Sequence, residues 1–198
     1  MTKVYFVRHA QPEHDHVDDR TRPLTKEGLA DAKIVLETLR DKGIDVFYCS
    51  PYKRSLDTIR ETAEYYRMEI LTDERLRERE KGADGNNHGM IQRRWENHAY
   101  HEEGGESIRM VQNRNIEALK EILTGHEGEN IVIGTHGTAL STIMNYYKPE
   151  FGCKDFLRII DWMPYIVELD FEGQKLLGIS ELAHIEKEFK GKARADKT

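Results

Sequence analysis

Cysteine is scarce in this chain of 198 residues. There are two, Cys49 and Cys153, and no CxxC pair. That spacing excludes the redox and zinc motifs built on paired cysteines, and both read as reduced thiols in a cytoplasmic protein. A basic block is also missing. Lys and Arg number 30 against 36 Asp and Glu, a formal net charge of -6. Nucleic acid and anionic membranes are therefore excluded as partners by bulk electrostatics, and any anion site must be built locally. No charged-then-apolar leader opens the chain, and no apolar run approaches the roughly 20 residues of a membrane helix. Internal repeats and low-complexity segments are absent too.

What is present suits one α/β domain spanning 1–198. Val4-Tyr5-Phe6-Val7 is a short buried strand that ends in Arg8 and His9. Open α/β sheets bind ligands at the carboxyl ends of their strands, so these two side chains stand where a site belongs. A polar loop, Pro12 to Pro23, follows. Thr25 then opens a helix with Leu29, Ala32, Leu36 and Leu39 on one face, closed by Gly43. Asp45 to Cys49 reads as a second strand. Ser50-Pro51 reads as the N-cap and first position of a helix that carries Arg54 and runs to about Tyr66. Met68 to Leu71 is a weaker strand, expected at a sheet edge.

The stretch from about 73 to 105 breaks the alternation and reads as a cap over the strand ends. It holds a mixed-charge run, Arg75 to Lys81, and turn chemistry from Gly82 to Gly89. A short helix is expected within Met90 to Tyr100, with Trp95 turned inward. Gly105-Glu106-Ser107 starts a long helix closed by Gly125. Asn130 to Thr135 is a clear strand, ending in His136-Gly137-Thr138, and Pro149 stops the helix after it. Tyr165–Asp170 and Lys175–Ile179 flank Glu172-Gly173 as an antiparallel hairpin. The charged tail from about His184 reads as frayed or disordered. Alternating strands and helices give a three-layer α/β sandwich, with a mostly parallel sheet and helices on both faces.

Three strand-to-helix junctions each deliver a histidine or arginine: Arg8-His9, Arg54 and His136. Brought to one sheet edge, guanidinium forks and helix N-terminal amides match the oxygens of a phosphoryl group. A neutral imidazole can attack phosphorus covalently, and a nearby carboxylic acid can protonate the leaving oxygen. The run Arg75 to Lys81 can supply that acid.

In order, Val7-Arg8-His9-Ala10-Gln11, Pro23 to Gly28, Ser50 to Ser55, Leu76-Arg77-Glu78 with Gly82, Gly105-Glu106-Ser107 and Gly134-Thr135-His136-Gly137 resemble the histidine phosphatase superfamily. This superfamily is also called phosphoglycerate mutase-like, and its signature is Arg-His-Gly. The likeness covers about Val4 to Leu182. It implies His9 as the nucleophile of a phosphohistidine intermediate. Arg8, Arg54 and His136 would form the phosphate pocket, with Gln11 and Gly137 at the substrate. Glu78 would be the general acid and then the base for water. Neighbouring positive charge would hold His9 neutral. The resemblance implies no metal and no cofactor.

The departures from the family pattern are Ala10 for glycine, His14-Asp15 in place of Trp-Asn, and a short loop before Leu24. The implied activity is metal-independent hydrolysis of a phosphorylated small molecule. The alternatives are a phosphoglycerate mutase-type phosphotransferase, a weakly catalytic phosphate-binding module, and a metal hydrolase using the histidine-rich loops. Glu80 is the alternative acid. Outside the motif, Arg54 would pair with Asp57 or Glu61. Cys49 reads as a buried strand residue before a nucleophile. Trp95 and Tyr100 are packing residues or a specificity lining. His98 and His101 have usable metal spacing but lack clustered carboxylates or cysteines. His88, Arg93, Arg94 and His98 are candidates for a second anionic group. An exposed apolar patch on the last hairpin would point to a homodimer.

Overall fold

The computed structural model describes residues 1–82 and 89–188. Six strands form one sheet: β1 (Thr2–Arg8), β2 (Val46–Cys49), β3 (Ile70–Thr72), β4 (Asn130–Thr135), β5 (Trp162–Glu172) and β6 (Lys175–Glu186). Their order is β3-β2-β4-β1-β5-β6. The first four strands in that order run parallel, and β5 and β6 are antiparallel. The weak strand does lie at an edge, and the sheet is the mixed one expected.

Helices cover both faces because β1 and β4 alternate two apolar sets. Val4, Phe6, Ile131 and Ile133 share a core with α5 (Ile108–Gly125), α6 (Gly137–Tyr147) and α7 (Cys153–Ile159). Tyr5, Val7 and Val132 pack with α2 (Lys33–Leu39) and α3 (Lys53–Tyr66) on the other side. A short α1 (Lys26–Asp31) precedes α2, and α4 (Met90–Glu96) carries a buried Trp95.

Register levels the strand ends that matter. Arg8 lies opposite Thr135, and Cys49 opposite Gly134. His9 N–H donates to Thr135 O at 3.2 Å and Ser50 N–H to Gly134 O at 2.9 Å. The three junctions therefore leave the sheet side by side.

Several local expectations need correction. Thr25 does cap α1, accepting from Gly28 N–H at 2.8 Å. The apolar face is Ala32, Val35 and Leu39, however, and Leu29 is 52% exposed. Ser50-Pro51 does not start α3. Its N-cap is Tyr52, with no side-chain cap bond, and the Ser50 hydroxyl lies against His136. The stretch 153–159, given no structure in advance, is helical. The chain at His184 is not frayed, since β6 continues to Glu186. Lys187 then pairs with Asp31 and, at 2.6 Å, with Glu27. The rest of that tail, and the turns at 83–88, lie outside the described residues. No described helix is long and apolar enough to cross a membrane.

Candidate active site

His9 follows the last residue of β1, and His136 is the N-cap of α6. Both are buried, and their rings meet edge to face with centroids 5.3 Å apart. His9 Nδ1 lies 2.7 Å from Ala10 O. A carbonyl only accepts, so Nδ1 carries the proton and the neutral ring has its lone pair on Nε2. Burial, then the charges of Arg54 and Arg8, hold the His9 pKa well below the ordinary 6.5. Burial does the same for His136, aided by Arg54 and His9.

Ser50 and Tyr52 define how His136 presents itself. Tyr52 N–H donates to Ser50 Oγ at 3.3 Å, and Ser50 Oγ lies 2.7 Å from His136 Nε2. With a hydroxyl proton on Nε2, the neutral imidazole carries its own proton on Nδ1. That Nδ1 is buried and has no partner among the described residues. An anion at this point would satisfy it. Tyr52 also stands edge-on to His136, with the Arg54 and Arg20 guanidiniums 5.1 and 5.2 Å from its ring centre. Neither Ser50 nor Tyr52 was singled out from sequence as a site residue. Their place just beyond a strand end was the available signal.

Arg54 sits one residue inside α3, buried to 3% exposure. Its ion partner is not Asp57, which pairs with Lys53 and Arg60, nor Glu61. Arg54 Nη1 donates to Asp19 O at 2.6 Å and stands 3.3 Å from Asp19 Oδ1. The Asp19 carboxylate bridges to Arg22 at 2.7 Å.

The Arg8 guanidinium reaches across to the carboxyl end of α7, donating to Ile159 O and Ile160 O at 2.6 and 2.8 Å. There it also balances the negative end of the helix dipole. It passes so close to Gly137 that a Cβ there would lie 3.1 Å from Arg8 Cζ. Glycine at 137 thus answers to packing against Arg8.

Glu78 spans the opening of α6. Its Oε2 accepts from Thr138 N–H at 3.1 Å, while Oε1 accepts from Ala139 N–H at 3.1 Å and Arg79 N–H at 2.8 Å. Glu80 instead lies 3.6 Å from Arg77 with a half-exposed side chain. The structure therefore brings Arg8, His9, Arg54, Glu78, His136 and Gly137 to one sheet edge. Gln11 is less committed. Its side chain receives Thr25 Oγ1–H at 3.1 Å, tying the loop to α1.

Other expectations resolve by burial. The Ala10 methyl is buried. It packs in a small apolar cluster with Leu24 and Ala32, and the Ala10 N–H donates to Thr58 Oγ1 at 3.0 Å. Cys49 is buried, and burial pushes its thiol up to about 12, which removes it as a nucleophile. The candidate second-anion set does not gather. Arg94 pairs with buried Glu102, Arg93 lies over the Tyr100 ring at 4.0 Å, and His98 abuts Trp95. His88 is outside the described residues. Among the described residues, no three His, Cys, Asp or Glu side chains cluster as metal ligands.

The sequence pattern of the histidine phosphatase superfamily (branch 1) matches residues 4–175. The chain belongs to this family. Phosphoserine phosphatase 1 of Hydrogenobacter thermophilus is 31% identical over 153 residues, covering 69% of this chain and 71% of that protein. A probable phosphoglycerate mutase, GpmB of Serratia proteamaculans, is 27% identical over 170 residues, covering 73% and 74%. Among solved structures, Bacillus stearothermophilus YhfR superposes with a TM-score of 0.73 at 26% identity, over 89% of this chain and 95% of that one. An Entamoeba histolytica phosphoserine phosphatase variant in complex with phosphoserine shares the fold. Its TM-score is 0.75 at 19% identity, over 93% and 96% of the two chains.

Proposed function

We propose that this histidine phosphatase superfamily member hydrolyses small phosphomonoesters, without metal, through a phosphohistidine on His9. The observation that carries this reading is the fixed His9 tautomer. Ala10 O accepts a hydrogen bond from Nδ1–H, which leaves the Nε2 lone pair among Arg54, Arg8 and His136. Nε2 attacks phosphorus, the P–N bond forms and the P–O bond to the leaving alcohol breaks. Arg54, Arg8 and the His136 Nδ1 proton meet the charge on the equatorial oxygens.

Glu78 supplies the proton to the leaving oxygen. Oε1 already accepts two N–H bonds and Oε2 only one, so Oε2 is the oxygen with room to carry it. In the second half, the Glu78 carboxylate takes a proton from water as the water oxygen attacks phosphorus. The P–N bond then breaks, and its electron pair returns to Nε2. The sum is ester plus water giving alcohol plus phosphate.

Hydrolysis of p-nitrophenyl phosphate by wild type and His9→Ala, with and without EDTA, tests the reading. The expected result is EDTA-resistant turnover, an acid-labile phosphoenzyme, and loss of both in the variant. Full activity in His9→Ala would overturn it.

The relatives named as probable phosphoglycerate mutases support a second reading, phosphoryl transfer between hydroxyls of one substrate. The same His9 chemistry serves, with a bound hydroxyl replacing water. A coupled mutase assay with 2,3-bisphosphoglycerate separates the two.

A further inference from the structure

We infer that Arg114, locked by Glu106, is a positioning residue that registers the Glu78 segment against the His9 pocket. The inference rests on the proposed acid–base role of Glu78. Arg114 lies on α5, packed against the irregular segment that carries Glu78, and family likeness had given it no role. A guanidinium has five N–H donors in a rigid fork. All five are used here, each on a separate acceptor. Nη1 donates to Arg75 O at 2.8 Å and Arg77 O at 2.7 Å. Nη2 donates to Glu78 O at 3.0 Å and Glu106 Oε2 at 2.8 Å, and Nε donates to Glu106 Oε1 at 2.9 Å. Three backbone carbonyls within four residues are thereby held by one planar group.

Glu106 completes the clamp from the other direction. Its carboxylate also receives Arg77 Nη1 and Nη2, at 2.7 and 3.1 Å, and Glu80 N–H at 2.8 Å. The chain at 106 donates in return to Glu80 O at 3.1 Å. Residues 75 to 80 form no long element of their own. Beyond the single 3-10 turn Glu74–Leu76 their backbone has no helix or sheet partner to set its position. Arg114 and Glu106 supply that partner. Burial raises the Glu106 pKa, but the bonds from Arg114 and Arg77 outweigh it and bring it down to about 2, so the clamp stays ionised through the working pH range.

The consequence for chemistry is specific. Glu78 must reach the leaving oxygen while its carboxylate bridges the start of α6. Misplacing an acid by about 1 Å costs on the order of 100-fold, within the range of general acid catalysis itself. Lysine at 114 keeps the charge but has three donors and no fork, so it cannot hold three carbonyls and a carboxylate together.

The test compares Arg114→Lys and Glu106→Gln with wild type on two substrates. One is an alkyl phosphate such as O-phosphoserine, which needs its leaving oxygen protonated. The other is 2,4-dinitrophenyl phosphate, whose leaving group departs as a stable anion. The quantity read is kcat/KM, which reports phosphoryl transfer to His9 and not the later hydrolysis. Expected is a loss of about 100-fold on the alkyl ester and about threefold or less on the dinitrophenyl ester. In a Glu78→Gln background, Arg114→Lys should add almost nothing further on the alkyl ester.

Equal loss on both esters by a folded variant would make Arg114 a general structural or phosphate-pocket residue and overturn the proposal. No loss on either would also overturn it. Thermal melts identify a variant that fails to fold, and Glu106→Gln then carries the test, since it breaks the same clamp from the other side. Wild type that hydrolyses neither ester would refute the parent phosphatase reading, a result distinct from both patterns.

Discussion

Arg54, the cation that closes one side of the His9 pocket, is held by a carboxylate of its own chain. Asp19 accepts from Arg54 through its backbone oxygen at 2.6 Å and places Oδ1 3.3 Å from the same guanidinium. A phosphate dianion bound at Arg54 would share the guanidinium with this carboxylate. Asp19 also draws Arg22 to the same place, at 2.7 Å. The loop between β1 and α1 thus brings a competing anion to the site.

Asp19→Asn removes the charge and keeps the size. Inorganic phosphate is then expected to inhibit at up to about fivefold lower concentration. That is the effect of losing a partly exposed ion pair of up to ~1 kcal/mol. Product-inhibition constants for the two proteins check it. Unchanged inhibition would mean that Asp19 moves aside at no cost.

The two buried histidines set the acid behaviour. Their folded pKa values lie below the ordinary 6.5, through burial first and Arg54 next. Above about pH 6.5 both folded and unfolded chains hold them neutral, so they add no pH dependence. Below it the unfolded chain takes up protons that the folded site refuses. Stability therefore falls as pH drops, by up to about 1.4 kcal/mol per pH unit for each histidine, until the folded pKa values are reached. Urea unfolding between pH 7 and 5 should show this slope, reduced in His136→Asn. The acid limb of kcat/KM should likewise lie below pH 6.5. A limb at the ordinary histidine value would contradict the arrangement.

Ser50→Ala should uncouple His136 from its tautomer. The buried Nε2 loses its 2.7 Å partner, and among the described residues nothing else fixes the proton on Nδ1. An unsatisfied buried nitrogen costs about 1–3 kcal/mol, so kcat/KM should fall about tenfold or more while the fold persists. Kinetics on p-nitrophenyl phosphate and a thermal melt, taken together, check both halves.

Two glycines separate stability from activity. At Gly28 an added Cβ would stand 2.3 Å from Gln11 O, a backbone atom that cannot step aside. Gly28→Ala should therefore destabilise by about 1–3 kcal/mol, read from urea midpoints. At Gly137 the neighbour is the Arg8 guanidinium at 3.1 Å, which can shift by tenths of an ångström. Gly137→Ala should melt near wild type but lose about tenfold in kcat/KM, because a charge displaced within the pocket no longer fits the phosphoryl oxygens.

What the sequence determined by itself follows from local rules. Alternating apolar sets in Val4–Val7 and Ile131–Ile133 specify strands buried on both faces, and such strands require covering helices. Parallel strands put their ends together, so Arg8, His9, Arg54 and His136 could be placed at one edge from their positions after strands. Local rules failed where a side chain had a distant use. Ser50 was read as a helix cap because Ser-Pro favours one, yet its hydroxyl serves His136, 86 residues away. Leu29 was counted in the apolar face because spacing cannot see that no partner lies over it. Arg54 could be matched only with carboxylates on its own helix, whereas its partner Asp19 comes from a loop. Arg114 carries no local signal in the sequence, and its role depends on three carbonyls of another segment that the fold brings to it. Periodicity and turn chemistry act over a few residues, which is why they wrote the elements into the sequence. The tautomer of His136, the anion beside Arg54 and the register of Glu78 depend on bonds between residues 35 to 86 positions apart, and only the folded chain brings those together.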